Sequence, residues 1–403
     1  MLDEEFITEL IGIGEFQVIG GEIKEAEAII EVEQIWETAL CPRCSEPSCS
    51  VLEYIGRQTR DLSISGKRVY LKYRQRRFRC WRCEKSFLEE FESIKSPAAH
   101  YTARYEEWVA EQVSGSTVEK VARQEKLSWE TIQYMIERVA KRRGVLEKPR
   151  AVRYLAIDEI ALRKGHKQYA LIISAPEQGR ILAVLEGRTK EELSRYLKEI
   201  WGKRELQKVE VVTMDMWDGY FYAVLENLPN AVIVIDRFHV QKNLLDAISK
   251  FRRQIQRKLS EEKRKELKGI RWLLVSNYDE LPDDKKQTLD QALDRCPELA
   301  LCHYVKEEFR DWYEQDHDVK SAAKALDKWI AMAASLGSRA LNNFINTLKN
   351  WKDSILNYFD EFLSNGFAEG LNNKLQLLKR KAFGFRNFSN FRLRALLLHE
   401  FPR

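Results

Sequence analysis

Hydrophobic positions change period twice along the chain. Residues 60–67 and the alternating Val69-Tyr70-Leu71-Lys72-Tyr73-Arg74 read as a β-hairpin. From about 101 to 145 the period becomes helical. Ser116-Thr117-Val118-Glu119 has the form of a capping box, with Ser116 as N-cap and Glu119 reaching back, and Val118, Val121 and Ala122 make an inner face. After the turn Lys126-Leu127-Ser128, Ser128 caps a second helix whose Ile132, Met135, Ile136 and Val139 repeat at helical spacing. Two short helices across a tight turn match a helix-turn-helix, as would any small helical bundle. Gln133, Tyr134, Arg138, Lys141 and Arg142 fall at its outward positions.

Beyond the linker Glu147-Lys148-Pro149-Arg150 the pattern turns to strands. Three short β-rich runs (154–161, 168–175, 180–186) precede a helix from 189 to about 201, a strand at 209–214, a helix from about 217 to 227 and a strand at 231–235. A meander followed by alternating helix and strand is the order of a ribonuclease-H-like mixed sheet, an α/β fold. The strongly helical stretch from about 244 to 363, with Trp272, Trp312, Trp329 and Trp351, reads as a large insertion. The organisation expected is a segment 1–35 without an interpretable motif, a zinc ribbon at 36–95 and a helix-turn-helix at 101–145. A catalytic core at 151–243, the helical insertion at 244–363 and a helix with a basic tail at 364–403 complete it.

Length and composition support this reading. At 403 residues, 44% hydrophobic and 32% charged, the chain exceeds one compact core. It lacks the roughly 20-residue apolar run that spans a bilayer, and its acidic start is unlike a secretory leader, so a cytoplasmic, nucleoid-associated protein is expected. The net charge of +5 is modest, but its distribution is uneven. Residues 67–82 hold Lys67, Arg68, Lys72, Arg74, Arg76, Arg77, Arg79 and Arg82 without an acid, and residues 370–399 hold only cations, among them Lys379, Arg380, Lys381 and Arg386. Such stretches suit a polyanion or, alternatively, a solvated basic face.

Seven cysteines in a chain without a leader argue against a disulfide framework. Cys41-Pro42-Arg43-Cys44 and Cys80-Trp81-Arg82-Cys83 are two knuckles able to give four thiolates to one structural Zn²⁺, with Cys49 a competing ligand. Cys296 and Cys302 read as ordinary buried residues. Asp158 closes the apolar run 154–157, Asp215 closes 209–214, and Glu369 lies on a helix opposite the stripe Phe367, Leu371, Leu375 and Leu378, with Asn372, Asn373 and Gln376 on its own side. Two strand-end carboxylates and a late helical one suit a pair of Mg²⁺ (or Mn²⁺) ions of the kind that cleave phosphodiesters. Read singly, an Asp after a strand is usually a turn or helix cap, and the Glu a solvated side chain.

The longer motifs resemble a known family. Residues 157–166 are similar to the first catalytic motif of the ISL-three family of insertion-sequence transposases, and Met214-Asp215-Met216-Trp217-Asp218-Gly219-Tyr220 to the second. Residues 365–374, running on through 380–387, are similar to the third. Asp236-Arg237-Phe238-His239-Val240 resembles a further family signature, and the cysteine knuckles sit where the family has its zinc ribbon. The resemblance covers about 40–400 and implies a DDE-type transposase with Asp158, Asp215 and Glu369 as its triad. Its partners would be duplex DNA, both the element's terminal inverted repeats and the target, with a homo-oligomer assembled on it. No membrane and no small-molecule substrate are expected. Asp236 is expected to support the site rather than to hold metal, and Glu159 to face away from it. His239 stays open between phosphate binding and helix capping. Arg74, Arg76, Arg77, Arg138, Lys141, Arg142, Lys164, Lys379, Arg380, Lys381 and Arg386 are the expected DNA contacts, and His166 lies close enough to the first motif to join Lys164. A catalytically inactive DNA-binding regulator, a nuclease without strand transfer and a zinc-ribbon transcription factor are the alternatives.

Overall fold

The hairpin expected from the alternation around 60–74 is long, and it organises the first of two units. The computed structural model describes residues 4–95, 100–148, 152–163, 168–315, 317–361 and 366–399. Unit one comprises Met1–Glu147 with Leu378–Arg403, and unit two Lys148–Leu377.

In unit one, helix α1 (Glu4–Ile11) precedes strands β1 (Phe16–Ile23) and β2 (Glu27–Gln34). Short strands β3 (Ala39–Leu40) and β4 (Pro47–Ser48) pair with each other. The hairpin is β5 (Val51–Ile64) and β6 (Lys67–Arg79), followed by β7 (Ser86–Leu88). Its turn places Ser65 and Gly66 at φ +50° and +77°, the left-handed pair that a two-residue hairpin loop requires. The sheet order is β1-β2-β6-β5, with β7 also on β6 and β2 parallel to β6. Residues 1–35, uninterpretable in sequence, thus supply two strands of this sheet. Their Phe16 packs with Tyr73 and Phe91 at ring-centroid distances of 5.4 and 4.8 Å, over Val18, Val32 and Leu71.

Three helices follow: α2 (Ala103–Ser114), α3 (Val118–Glu125) and α4 (Trp129–Arg142). Ser128 caps α4 as expected, accepting from the Thr131 amide. At α3 the cap is one residue later than expected. Thr117 accepts from the Lys120 amide, because the Ser116 amide is already committed to the Val113 carbonyl at the end of α2. The expected inner face is buried, but so is Gln133, which leaves the outward set. Adjacent residues of β5 tie the sheet to the helices. Buried Arg60 reaches the Glu125 carboxylate at 2.5 Å and its carbonyl at 2.7 Å, Tyr105 shares that carboxylate at 2.8 Å, and neighbouring Asp61 accepts from Thr102 and Arg104. The C-terminal helix α18 (Phe388–Leu396) packs on α4, and its buried Arg394 donates to the Val113 and Ser116 carbonyls at 2.6 and 2.9 Å.

Unit two holds the sheet β10-β9-β8-β11-β12, formed by β8 (Tyr154–Arg163), β9 (Gln168–Ala175), β10 (Arg180–Glu186), β11 (Val211–Met214) and β12 (Val232–Ile235). The first three make an antiparallel meander. β11 then runs parallel to β8, and β12 parallel to β11. This is the ribonuclease-H-like order expected. Helices α5 (Lys190–Ile200), with a Thr189–Glu192 capping box, the short α6 (Lys203–Leu206) and α7 (Asp218–Asn227) connect the strands. β8 does not end at Asp158 but continues to Arg163, held by its pairing with β9.

From Asp236, which caps it, α8 (Arg237–Lys258) leads straight into the helical part. That part contains α9 (Glu261–Glu266), α10 (Ile270–Val275), α11 (Asp283–Arg295), α12 (Pro297–Glu314), α13 (Val319–Ser335), α14 (Arg339–Asn350), α15 (Lys352–Leu356) and α16 (Tyr358–Glu361). Phe309 is its hub, with Trp312, Trp329 and Phe344 rings 4.7 to 5.6 Å away. Buried Trp312 and Trp329 donate their indole N–H to the Ala322 and Val305 carbonyls. Trp272 is exposed, and Cys296 and Cys302 are buried as expected. The last long helix is α17 (Gly366–Lys381), with Leu371, Leu375 and Leu378 buried along one stripe. Among the described residues no helix is long and apolar enough to cross a membrane.

Removing one partner of a buried ion pair strands the other's charge, at a cost of about 3–5 kcal/mol. Glu125→Ala is therefore expected to destabilise unit one on that scale in urea unfolding, while Glu119→Ala, whose pair with Arg123 is exposed, leaves it within about 0.5 kcal/mol.

Candidate active site and DNA-contacting surface

Parallel register creates the site. β11 aligns with β8 through Val211–Tyr154, Val212–Leu155 and Thr213–Ala156, and with β12 through Val211–Val232 to Met214–Ile235. Carried one step past Met214, this alignment sets Asp158, Asp215 and Asp236 at one level on three adjacent strands. The chain gives each carboxylate a polar anchor. Asp158 is 6% exposed and accepts from the Glu159 amide and the Asn372 side chain, both at 2.6 Å. Asp215 accepts from the Met216 amide at 2.6 Å and Asp236 from the Phe238 amide at 3.1 Å. The His239 ring spans two of the three, with Nδ1 3.0 Å from Asp236 and Nε2 3.9 Å from Asp215.

These neighbours set the protonation states. Burial, reinforced by Asp236 and Asp215 and opposed by His239 and the Glu159 amide, pushes the Asp158 carboxyl up to about 6. Burial lowers the proton affinity of His239, but the bond to Asp236 and the charges of Asp215 and Asp158 outweigh it, so its pKa is raised. Glu159 faces away, as strand alternation requires, and bonds Arg188 and the Tyr220 hydroxyl. Glu369 lies on α17 one turn before Asn372, whose amide touches Asp158. A helix projecting Asn372 onto β8 therefore carries Glu369 in its preceding turn. Carboxylate oxygens are the donors that Mg²⁺ and Mn²⁺ prefer, and a row of acids, with Asp158 and Asp236 buried and Asp215 partly exposed, opposed by one imidazole fits such ions. Asn372 and His239 are the site neighbours that sequence reasoning left without a role here. For Asn372 the usable signal was its three-residue spacing from Glu369.

The second cluster is in unit one. Cys41, Cys44, Cys80 and Cys83 lie with all four sulfurs within 4.8 Å of one another, and the Cys41–Cys83 and Cys44–Cys80 separations are 3.7 and 3.6 Å. A tetrahedral zinc with bonds of about 2.3 Å sets its sulfurs about 3.8 Å apart. The knuckles are built alike. Ser45 and Glu84, each just after the second cysteine, take φ +58° and +53°, and each first cysteine's amide donates to the carbonyl five residues on. Backbone hydrogen bonding, chiefly from Arg43, favours the thiolate at Cys41, while burial and the hydrogen bonds with the other three sulfurs push the Cys44 thiol up. Cys49 is exposed and outside the cluster.

A family model described as a transposase, for the DDE domain of the ISL3 group, matches residues 155–395. The chain belongs to the ISL3 transposase family. Models for the helix-turn-helix of that family and for the zinc finger of the IS204/IS1001/IS1096/IS1165 transposases match residues 95–140 and 37–83. The transposase of insertion sequence element IS1001 from Bordetella parapertussis is 30% identical over 361 residues, 88% of this chain and 87% of that protein. The transposase of IS1557 from Mycobacterium tuberculosis is 25% identical over 304 residues, 70% of this chain and 67% of that protein. Family membership supports an enzyme that acts on DNA, and the ribbon match together with the four-cysteine cluster points to structural zinc.

In this ISL3 transposase the expected DNA-contacting cations divide into two groups. Arg74, Lys141, Arg380, Lys381 and Arg386 are exposed, and Lys379 is half-buried. Arg77 is partly exposed but paired with Glu53 at 2.7 Å. Three others turn inward, each onto a glutamate rather than toward solvent. Arg76 lies on buried Glu89, with Nη2 at 2.7 Å, and Arg138 and Arg142 lie on buried Glu106 at 3.1 and 2.5 Å. The two glutamates, 3% and 1% exposed, need those guanidiniums more than solvent-facing phosphate does. Lys164 and His166 lie outside the described residues.

Two measurements test these sites. One zinc per chain is expected by metal analysis, retained in Cys49→Ser and lost in Cys83→Ser. Asp158 has a folded pKa above its unfolded value of about 3.9, so its cost to stability is absent below about pH 4 and grows as the pH rises through 6. Asp158→Asn in EDTA at pH 8 is expected to be more stable than the native chain by about 2–3 kcal/mol, an advantage that vanishes near pH 4. Equal stability at pH 8 would remove the charge argument.

Proposed function

We propose that this chain is a DDE-type transposase that binds the terminal inverted repeats of its own insertion sequence and carries out metal-dependent DNA cleavage and strand transfer. The observation that carries this reading is the level row Asp158–Asp215–Asp236, together with the Asn372–Asp158 bond that brings the Glu369 helix to it. Asp158, Asp215 and Glu369 would hold two Mg²⁺ or Mn²⁺ ions. Bound there, such ions lower the pKa of the attacking oxygen and stabilise the leaving 3′ oxygen.

The protein residues orient and hold. Asn372 and the Glu159 amide each bond one oxygen of the Asp158 carboxylate, which fixes its plane. His239 keeps Asp236 and Asp215 from repelling each other apart, so Asp236 supports the site. Water attacks the phosphodiester at the element end, the P–O3′ bond breaks, and the 3′ oxygen leaves with a proton as a hydroxyl. That hydroxyl then attacks a target phosphodiester, forming a new P–O bond as the target's own 3′ oxygen departs. No Ser or Tyr nucleophile is required. End recognition falls to the ribbon and helix-turn-helix, through phosphate contacts from exposed cations such as Arg74 and Lys141 with a few base-edge contacts, and Lys379, Arg380, Lys381 and Arg386 extend the phosphate-binding surface. The enzyme would work in the cytoplasm at the nucleoid, as a dimer or larger assembly that pairs two ends.

Glu369→Gln keeps side-chain shape but removes the ligating charge. With DNA carrying the element's ends and Mg²⁺, the native protein is expected to yield joined products. The mutant is expected to retain end binding and to lose cleavage and joining by at least about 10²-fold, the scale for losing a key electrostatic group. Cleavage without joining would indicate a nuclease instead. Equal activity in both proteins would take Glu369 out of the triad.

A further inference from the structure

The helical part of unit two carries a groove of about 250 Å³ between α8 and α14, starting about three turns along α8 from His239. Lys250, Arg253, Gln254 and Arg257 line it from α8, and Arg339 and Asn343 from α14, with Ala340 as the apolar contributor. The cations at 250, 253 and 257 share one face of α8 over about 10 Å of helix. No acid occurs between Asp246 and Glu261 or between Asp327 and Asp353. Among the described residues none of the four cations has a carboxylate within salt-bridge distance, and Arg253 donates only to the Ser249 carbonyl of its own helix. Like charges three and four residues apart destabilise a helix, so the arrangement costs stability until an anion meets it. Crowding by cations is visible next door. Burial first, then Arg271 and Arg253, lower the pKa of Arg252.

We propose that this groove is a second DNA-binding site, which grips the phosphate backbone of duplex DNA without reading its sequence. It rests on the reading that the chain acts on DNA, and it assigns the helical insertion a part in holding that DNA. Four flexible or forked cations and two amides suit phosphodiester oxygens, which accept hydrogen bonds from all six side chains. A protein partner suits it poorly, because interface cores are apolar and aromatic and depleted in lysine, whereas Ala340 is the sole apolar group here.

The test is the salt dependence of duplex binding by the full chain. Each phosphate contact contributes about 0.9 to the slope of log K against log salt. The triple variant Arg253→Gln, Arg257→Gln, Arg339→Gln is expected to bind element-end and unrelated duplexes more weakly by the same factor, with a slope shallower by up to about 2.7. The ratio of its affinities for the two duplexes stays unchanged, since recognition lies elsewhere. Single-charge changes at Asn343 give an independent check, Asn343→Lys tightening and Asn343→Asp weakening binding. A triple variant with native affinity and slope would overturn the proposal and leave the transposase reading intact, and so would lost self-association in sedimentation with DNA binding unchanged. A native chain that binds no duplex would sink the transposase reading itself.

Discussion

Three aspartates held at one level of a parallel array repel one another, and much of unit two can be understood as the means of tolerating that repulsion. The strands beneath them are almost wholly apolar: Leu155, Ile157, Val212, Met214, Ile233 and Ile235 are all buried. Packing them fixes the register, and the register leaves the carboxylates no freedom to separate. Relief comes instead from donors the chain can supply locally: backbone amides one or two residues on, the imidazole of His239 and the amide of Asn372. Burial that raises the Asp158 pKa to about 6 is the residue of what these donors do not offset.

Unit one faces the opposite problem locally, in acid-free runs of cations such as residues 67–82. It resolves part of it by turning arginines inward onto single buried glutamates. Glu89 takes Arg76, and Glu106 takes both Arg138 and Arg142. Arg60 and Asp61, adjacent on β5, each hold a partner from the helical layer, so two consecutive residues of one strand join sheet to helices. Burial raises the pKa of Glu106 despite its two arginines, which places the three groups in a dry environment where they act as structure.

Much of this was legible along the chain because it is local. The hairpin alternation, the Ser128 cap, the strand order 154–235 and the paired cysteine knuckles each depend on neighbours within a few residues. The errors came where the deciding partner is distant. Arg76 answers to Glu89, and Arg138 and Arg142 to Glu106, 32 and 36 residues before them, so their inward turn has no local signature. Residues 1–35 carry β-rich runs whose partners begin at Glu27 and Lys67, and only the pairing gives them meaning. The cap slipped from Ser116 to Thr117 because two adjacent hydroxyl residues offer the same side-chain chemistry, and the preceding helix had already claimed one amide. The apolar run closes at Asp158, but the β-rich stretch expected to reach 161 pairs with β9 as far as Arg163.

The two carbonyl bonds of Arg394 have a consequence in time. The helix-turn-helix is continuous in sequence only up to its own last residue, while the helix that covers α4 and ties down the end of α2 is synthesised some 240 residues later. A ribosome must therefore deliver some 240 further residues before the helix-turn-helix acquires its final cover. The same wiring limits how such proteins diversify by recombination. An N-terminal half grafted onto a foreign C-terminal half would meet a mismatched closing helix, so the helix-turn-helix and the C-terminal segment are inherited together.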